Sequence, residues 1–252
     1  MANDPHSSFG LYDSRFFRDL TEGSASSASV IAPLAAEWLK PRSVLDVGCG
    51  EGAWLEAFRC CGVRDVFGVD GCYVDRAKLL IEETDFREVD LAQPLMLHRH
   101  FDLVLCLEVA EHIPQSGAEI LVESLVRHGA VILFSASIPF QDGTGHVNEQ
   151  WPHYWIAKFA QRGYHAVDCL RPVVWNDKRV RWWFAQNAMF FVEARALAMY
   201  KVFERCLAEN RSEPLPLVHP NLLFHKQSML NSPRWLVKQL ARALRSRIFS
   251  NW

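Results

Sequence analysis

The stretch LEVAEHIP, residues 107–114, gathers three side chains able to carry protons or bind cations. Glu108, Glu111 and His112 fall at i, i+3 and i+4, a spacing that sets all three on one face if the stretch is helical. Such a trio serves a general base, a metal site, or an acidic helix start favoured by the helix dipole. A fourth group, His146, follows in IPFQDGTGHVNEQWPHYW, after a turn that Gly143 and Gly145 make flexible. Two carboxylates and two imidazoles compose a mixed oxygen and nitrogen shell for a divalent ion, Mg²⁺ first and Mn²⁺ or Zn²⁺ after it. The metal set is then Glu108, Glu111, His112 and His146, acting by lowering the pKa of a bound hydroxyl. Without a metal, His112 or His146 is the base for a hydroxyl acceptor, with Glu108 and Glu111 orienting it.

These groups need a frame. The strongest motif is VLDVGCGEGAW, residues 44–54, in which a strand ends, Gly48, Gly50 and Gly52 follow at alternate positions, and a helix begins. Glycine permits a sharp turn and close approach of a ligand to main-chain atoms. The dinucleotide fingerprint has glycines spaced GxGxxG. Here Asp46 precedes the glycines instead; it repels a phosphate and suits a cationic amine. Asp70 ends a second strand, where a carboxylate can accept both hydroxyls of a ribose. Asp90 ends a third, placed for an adenine amino group, with Leu91 beside it for the ring. The cofactor-binding set is Asp46, Gly48, Cys49, Gly50, Gly52, Asp70, Gly71, Asp90, Leu91 and Leu107.

Apolar runs at 43–47, 65–69, 101–107 and 130–138 alternate with helical patterns at about 52–61, 74–82 and 115–127. Strands alternating with helices predict an α/β fold with a parallel sheet covered on both faces. A helix over 151–164 and two closing strands in HAVDCLRPVVW and NAMFFVEA follow. Residues 1–40 read as an N-terminal helical segment with a Ser/Gly-rich break at 21–29, either a lid over the site or a helix on the sheet. The catalytic domain spans 41–195; 196–232 is a helix and a Pro-containing linker, extended over 210–233. Half the residues are hydrophobic and 22% charged, enough for a core without staples. Seven cysteines without a CxxC predict buried thiols in a reducing compartment. No signal-peptide pattern or run of spanning length is visible, so the expected location is the cytoplasm.

Taken together, VLDVGCGEG, GVD, VDL, FDLVLCLEVAEHI and VILFSASIPF resemble a class I S-adenosylmethionine-dependent methyltransferase over about residues 40–195. The resemblance implies a Rossmann-like, doubly wound sheet of seven strands with the last antiparallel. It also implies S-adenosylmethionine over the strand C-termini. The ExxEH motif after the fourth strand, with a later His, resembles the metal-binding set of small-RNA 3′-terminal ribose methyltransferases. It also resembles the related region of ubiquinone-pathway O-methyltransferases. A net charge of −2 and the lack of a basic, aromatic-interleaved surface argue against a nucleic-acid partner.

The acceptor pocket is read as Asn148, Gln150, Tyr154 and Trp155 from one segment and Arg181 and Trp182 from another, aromatic faces and polar groups suited to a sugar or small polar ring. The expected activity is methyl transfer to a hydroxyl of a small-molecule or glycan acceptor. N- or C-methylation, RNA ribose methylation, and a cofactor-binding scaffold that transfers nothing stay open. Residues 233–252 form a basic amphipathic pattern, with Arg234, Lys238, Arg242, Arg245 and Arg247 beside Leu236, Leu240, Leu244 and Ile248. It suits peripheral contact with an anionic inner membrane face, or docking on the chain's own acidic body or a second subunit. Spacing leaves the oligomeric state open.

Overall fold

The computed structural model describes residues 14–209, 215–233, 235–237 and 240, with residues 14–22 as backbone alone. The chain forms two compact units, Met1–Pro216 and Leu217–Trp252.

The first unit is built on one seven-stranded sheet: β1 (Ser43–Val47), β2 (Asp65–Asp70), β3 (Phe86–Glu88), β4 (Leu103–Leu107), β5 (Val131–Ser135), β6 (Tyr164–Val167) and β7 (Met189–Glu193). The spatial order is β3-β2-β1-β4-β5-β7-β6. β1 to β5 pair in parallel, and β7 runs antiparallel to both β5 and β6. This is the class I methyltransferase sheet that the resemblance implied. The central strands β4 and β5 are buried along their whole length, as continuous apolar runs must be when helices cover both faces.

The helices are α1 (Ser14–Leu39), α2 (Ala53–Cys60), α3 (Ala118–His128), α4 (Pro152–Ala160), α5 (Arg171–Val174), α6 (Trp182–Asn187) and α7 (Lys201–Ala208). One core joins α1, α2, α5, α6 and α7 to the sheet through Ile31, Leu55, Phe58, Leu105, Phe190 and Phe203. The other joins α3 and α4 to the opposite face through Leu121, Leu125, Trp155, Phe159, Phe134 and Phe191. Each such fully buried side chain contributes roughly 1.5–3 kcal/mol. The strand order reverses between β1 and β4: the chain leaves β1 for α2 on one face and leaves β4 for α3 on the other. That reversal opens a crevice at the strand C-termini, where open α/β sheets bind ligands.

Four sequence expectations change. The Ser/Gly stretch at 21–29 is no break; α1 runs through it unbroken to Leu39. Its serines bond within the helix or to its neighbours rather than opening it: Ser27 Oγ donates to Gly23 O at 2.8 Å, and Ser26 Oγ donates to Arg179 O at 2.6 Å. Ala28, Ile31, Ala32, Ala35 and Leu39 form its buried stripe. The described face of α1 therefore belongs to the core, while residues 1–13 and the side chains of 14–22, the rest of the segment expected as a lid, lie outside the described residues.

The helix expected over 74–82 is only a 3₁₀ turn at Arg76–Lys78. Tertiary contacts hold the rest out of a helix: Leu80 N–H donates to Glu51 O at 2.8 Å, and Ile81 packs on Gly52. The thiols also depart from expectation. Cys49, Cys106 and Cys206 are buried and Cys169 half-buried, but Cys60 and Cys61 are exposed where α2 ends, and Cys72 is exposed in the turn after β2.

In the second unit, the segment expected as extended linker contains α8 (Pro220–Leu230). Pro220 takes the first helical position, where its missing N–H costs nothing, and His219 caps the end by accepting from Asn221 N–H. The basic amphipathic pattern at 233–252 lies almost wholly outside the described residues. Among the described residues, no helix is long and apolar enough to cross a membrane.

Candidate active site

The floor of the crevice is the loop after β1. Gly48, Gly50 and Gly52 all take positive φ, at 87°, 54° and 89°. Space as well as conformation requires glycine at the first: a Cβ on Gly48 would lie 2.3 Å from Val109 Cγ2, in the loop after β4. The two strand ends at the switch point are thus in direct contact. Gly48 and Cys49 N–H both donate to Val69 O, and the buried Cys49 thiol sits against Gly68 of β2. Burial, then Asp46 and Asp70, push that thiol up, so it stays protonated and inert.

Asp70 Oδ2 accepts Gly50 N–H at 2.6 Å; its Oδ1 accepts Gly71 N–H at 2.7 Å and also the Tyr73 hydroxyl. Burial raises the Asp70 pKa against these three donors. Asp46, 1% exposed, leaves Oδ2 without a partner, and burial, with Asp70 nearby, pushes its pKa up to about 8. An orphaned buried carboxylate beside a glycine cradle fits a ligand that brings a cationic amine and a ribose, as S-adenosylmethionine does. Asp90 lies beyond the end of β3, its Oδ1 accepting Ala92 N–H at 2.9 Å; Leu91 packs on the α3 core, while Leu107 belongs to the core on the α1 and α2 face.

The acid and imidazole cluster stands across the crevice. Glu108, Glu111 and His112 do not share a helix face: Glu108 is left-handed at φ 56°, and only Ala110–His112 make a 3₁₀ turn. Left-handed backbone is uncommon for a residue with a side chain, and here the tip of β5 holds it. Glu108 N–H donates to Ser135 O at 3.0 Å and to Ser135 Oγ at 3.1 Å.

The Glu108 carboxylate faces donors on both oxygens. Asn187 Nδ2 donates to Oε1 at 3.2 Å; Gln141 Nε2 and Ser137 Oγ donate to Oε2 at 3.2 and 3.3 Å. Gln186 Nε2 and Asn187 Nδ2 both donate to Gln141 Oε1 at 3.0 Å, closing a buried amide network. Behind it, buried Arg171 forks onto Asp168 and donates to Gln186 O, which fixes the last turn of α6.

Glu111 is fully buried. Its Oε1 accepts Ser137 Oγ at 2.9 Å, its Oε2 has no partner, and burial and then Glu108 hold its pKa well above the usual carboxylate range. His112 keeps a partnerless Nδ1, and burial, then His146, push its pKa down to about 4. The His112 and His146 rings meet edge to face at 4.9 Å, and His146 Nε2 lies 3.9 Å from Glu111 Oε1. Glu111, His112 and His146 each offer one ligand atom within 4.8 Å of the others; Glu108 lies outside that group.

The acceptor-side residues divide. Asn148 is buried with Nδ2 partnerless, and Gln150 Nε2 donates to its Oδ1 at 3.0 Å. Asn148 N–H donates to Glu111 O and Gln150 N–H to Ser137 O, which ties both to the cluster. Trp155 packs in the core: it is 2% exposed with its ring 5.2 Å from that of Phe134. Tyr154 is half-buried against it. Arg181 and Trp182 lie at the start of α6 beside α1, with the Arg181 side chain against Gly23 and its N–H donating to Ser27 Oγ. The sequence gives no signal for Ser137, Gln141 and Glu149: they are scattered among apolar and glycine residues after β5, at no spacing that groups them.

Among proteins of known function, the ubiquinone biosynthesis O-methyltransferase of Stutzerimonas stutzeri is 34% identical over 119 residues, covering 42% of this chain and 51% of that protein. The chain thus matches about half the length of that relative. Among solved structures, the sugar N-methyltransferase KedS8 from Streptoalloteichus sp. shares the fold with a TM-score of 0.55 at 18% identity, over 77% of this chain and 95% of that one. CalS10, an amino pentose methyltransferase from Micromonospora echinaspora, does so at 0.51 and 16%, over 77% and 100%. The methyltransferase domain family matches residues 21–197, across the whole sheet, and the chain belongs to that family.

Proposed function

We propose that this methyltransferase moves the methyl group of S-adenosylmethionine to a hydroxyl oxygen of a small-molecule or sugar acceptor, with a divalent cation held by Glu111, His112 and His146. The observation that carries the reading is that Glu111, His112 and His146 each bring a ligand atom within 4.8 Å of the others. Glu111 Oε2 and His112 Nδ1 are buried without partners, and His146 is in ring contact with His112. A buried orphan is costly, and a cation would satisfy both. One carboxylate and two imidazoles suit Mn²⁺ or Zn²⁺ better than the oxygen-seeking Mg²⁺ first expected. Glu108, occupied by amide and hydroxyl donors, is assigned to the wall of the pocket.

S-adenosylmethionine supplies an electrophilic methyl on a good leaving group. Asp46 anchors its ammonium, Asp70 its ribose, and Asp90 and Leu91 its base; the chain's task is then to hold the acceptor in line. A cation at Glu111, His112 and His146 would make an acceptor hydroxyl more acidic. An oxygen acceptor draws support from the likeness to the ubiquinone-pathway enzyme. A metal-free reading, with His146 as base, is favoured by one contact: His146 Nδ1 lies 2.9 Å from the Glu149 carboxylate. The deciding experiment is transfer of labelled methyl to fractionated extract by chelator-treated protein, with and without Mn²⁺, Zn²⁺ or Mg²⁺. Label that appears only with metal supports the cation. Label that appears equally without it assigns the proton to His146. Cofactor binding with no label in any fraction favours a scaffold.

A further inference from the structure

His146 is gripped from several sides. A Cβ on Gly143 would fall 2.1 Å from His146 Nε2, so the loop crosses the ring where only glycine fits. His112 meets the ring edge to face. Val147 and Asn148 N–H, just after it, both donate to Glu111 O, at 2.9 and 3.0 Å. Glu149 supplies the remaining contact, and its carboxylate has two duties. Oε1 lies 2.9 Å from His146 Nδ1, while Oε2 accepts Phe140 N–H at 2.9 Å. Phe140 is held at φ 68°, a strained conformation for a bulky residue, and its side chain is 79% exposed. One carboxylate therefore braces both the imidazole and the bend that carries the loop around it.

We propose that Glu149 is the positioning residue of the site: it fixes His146 as the Nδ1–H tautomer and so presents the Nε2 lone pair to Glu111 and His112. This rests on the reading that His146 Nε2 works in the site, as ligand or as base. An ionised carboxylate only accepts, so the shared proton belongs to Nδ1, and Nε2 is left as the free acceptor. Both proposed roles need that nitrogen bare. Partners of this kind, one step removed from the working atom, orient the ring and raise its strength as a ligand. The Glu149 oxygens face His146 Nδ1 and Phe140 N–H, not Glu111 or His112, so it acts through His146.

The test is a long-range proton–nitrogen correlation spectrum of the histidine rings of the full chain, metal-free and at mildly alkaline pH, with His146 assigned through His146→Gln. The wild type should show His146 as Nδ1–H; Glu149→Leu should convert it to mainly Nε2–H, and Glu149→Asp should recover part of the Nδ1–H form. The other histidine signals report whether each variant keeps the fold. A wild-type His146 protonated on Nε2, or one unmoved in a folded Glu149→Leu variant, overturns the proposal. If Glu149→Leu does not fold, the wild-type tautomer alone decides. Adding Zn²⁺ to the same wild-type sample then tests the metal separately. Unmoved His112 and His146 signals would dismiss the cation while leaving the tautomer result intact.

Discussion

Asn187, the last residue of α6, gives its side-chain amide to the carboxylate of Glu108 at the tip of β4, across 3.2 Å and 79 positions of sequence. The bond ties the segment before the antiparallel strand to the strand that ends at the reaction crevice. Its second donor contact, to Gln141 Oε1, brings in the loop after β5. Asn187→Leu keeps the volume but leaves Glu108 Oε1 short of a donor, while Gln141 Oε1 keeps Gln186 Nε2 and Ile138 N–H. Leaving a buried acceptor unsatisfied costs about 1–3 kcal/mol. Urea denaturation should show a loss in that range with an unchanged slope. A variant as stable as the parent would mean that solvent reaches Glu108 freely.

The contact between Gly48 and Val109 makes a second test. Gly48→Ala meets two penalties: a left-handed backbone, about 1–2 kcal/mol for a residue with a Cβ, and the collision with Val109 Cγ2. Adding Val109→Ala removes the colliding methyls but not the backbone penalty. Gly48→Ala should therefore lose both stability and cofactor binding, and the double variant should regain part of each. Equal losses in the single and double variants would show that the collision is relieved elsewhere.

The glycine loop was legible because a glycine run behind an apolar strand has few physical meanings, and the sheet because buried strands and covering helices alternate plainly. What was not legible came from contacts distant in sequence. The Ser/Gly stretch stays helical because Ile31 and its neighbours are buried and the serines bond to carbonyls of α1 and to Arg179. The apolar segment 79–81 stays out of a helix because Glu51 and Gly52 receive it. Helical spacing grouped Glu108 with Glu111 and His112, yet a single left-handed residue turns Glu108 away to Asn187 and Gln141. Glu149 shows no periodic signal at all; its role exists only once the loop folds back on His146.

Tyr73 predicts an effect of unusual sign. A carboxylate oxygen has two lone pairs. Asp70 Oδ1 already accepts Gly71 N–H and the Tyr73 hydroxyl, and Oδ2 accepts Gly50 N–H. One site remains, and a ribose diol needs two. The Tyr73 hydroxyl must therefore leave when the ribose binds. Tyr73→Phe removes that competition while keeping the ring, so S-adenosylhomocysteine should bind several-fold more tightly, on the order of the 1 kcal/mol that one hydrogen bond contributes. Calorimetric titration reads it directly. Weaker binding by Tyr73→Phe would show that the hydroxyl helps the ligand instead of standing in for it.

Asp46 sets the pH response. Burial, and Asp70 beside it, raise its folded-state pKa to about 8 from 3.8. Between those values the folded protein holds a proton that the unfolded chain releases. Stability should then fall as pH rises through this window, by at most about 1.4 kcal/mol per pH unit for one proton, and level off above it. Binding of a cationic amine reverses the balance, because the carboxylate must ionise to pair with it. Cofactor affinity should consequently rise with pH toward 8 and then flatten, with proton release measurable as buffer-dependent heat. Asp46→Asn cannot ionise; it should be the more stable protein near pH 8, bind cofactor weakly, and lose the pH-dependence of binding. If Asp46→Asn kept the parent's full pH-dependence of affinity, the titrating group would have to be another, and the ammonium anchor would have to be sought away from β1.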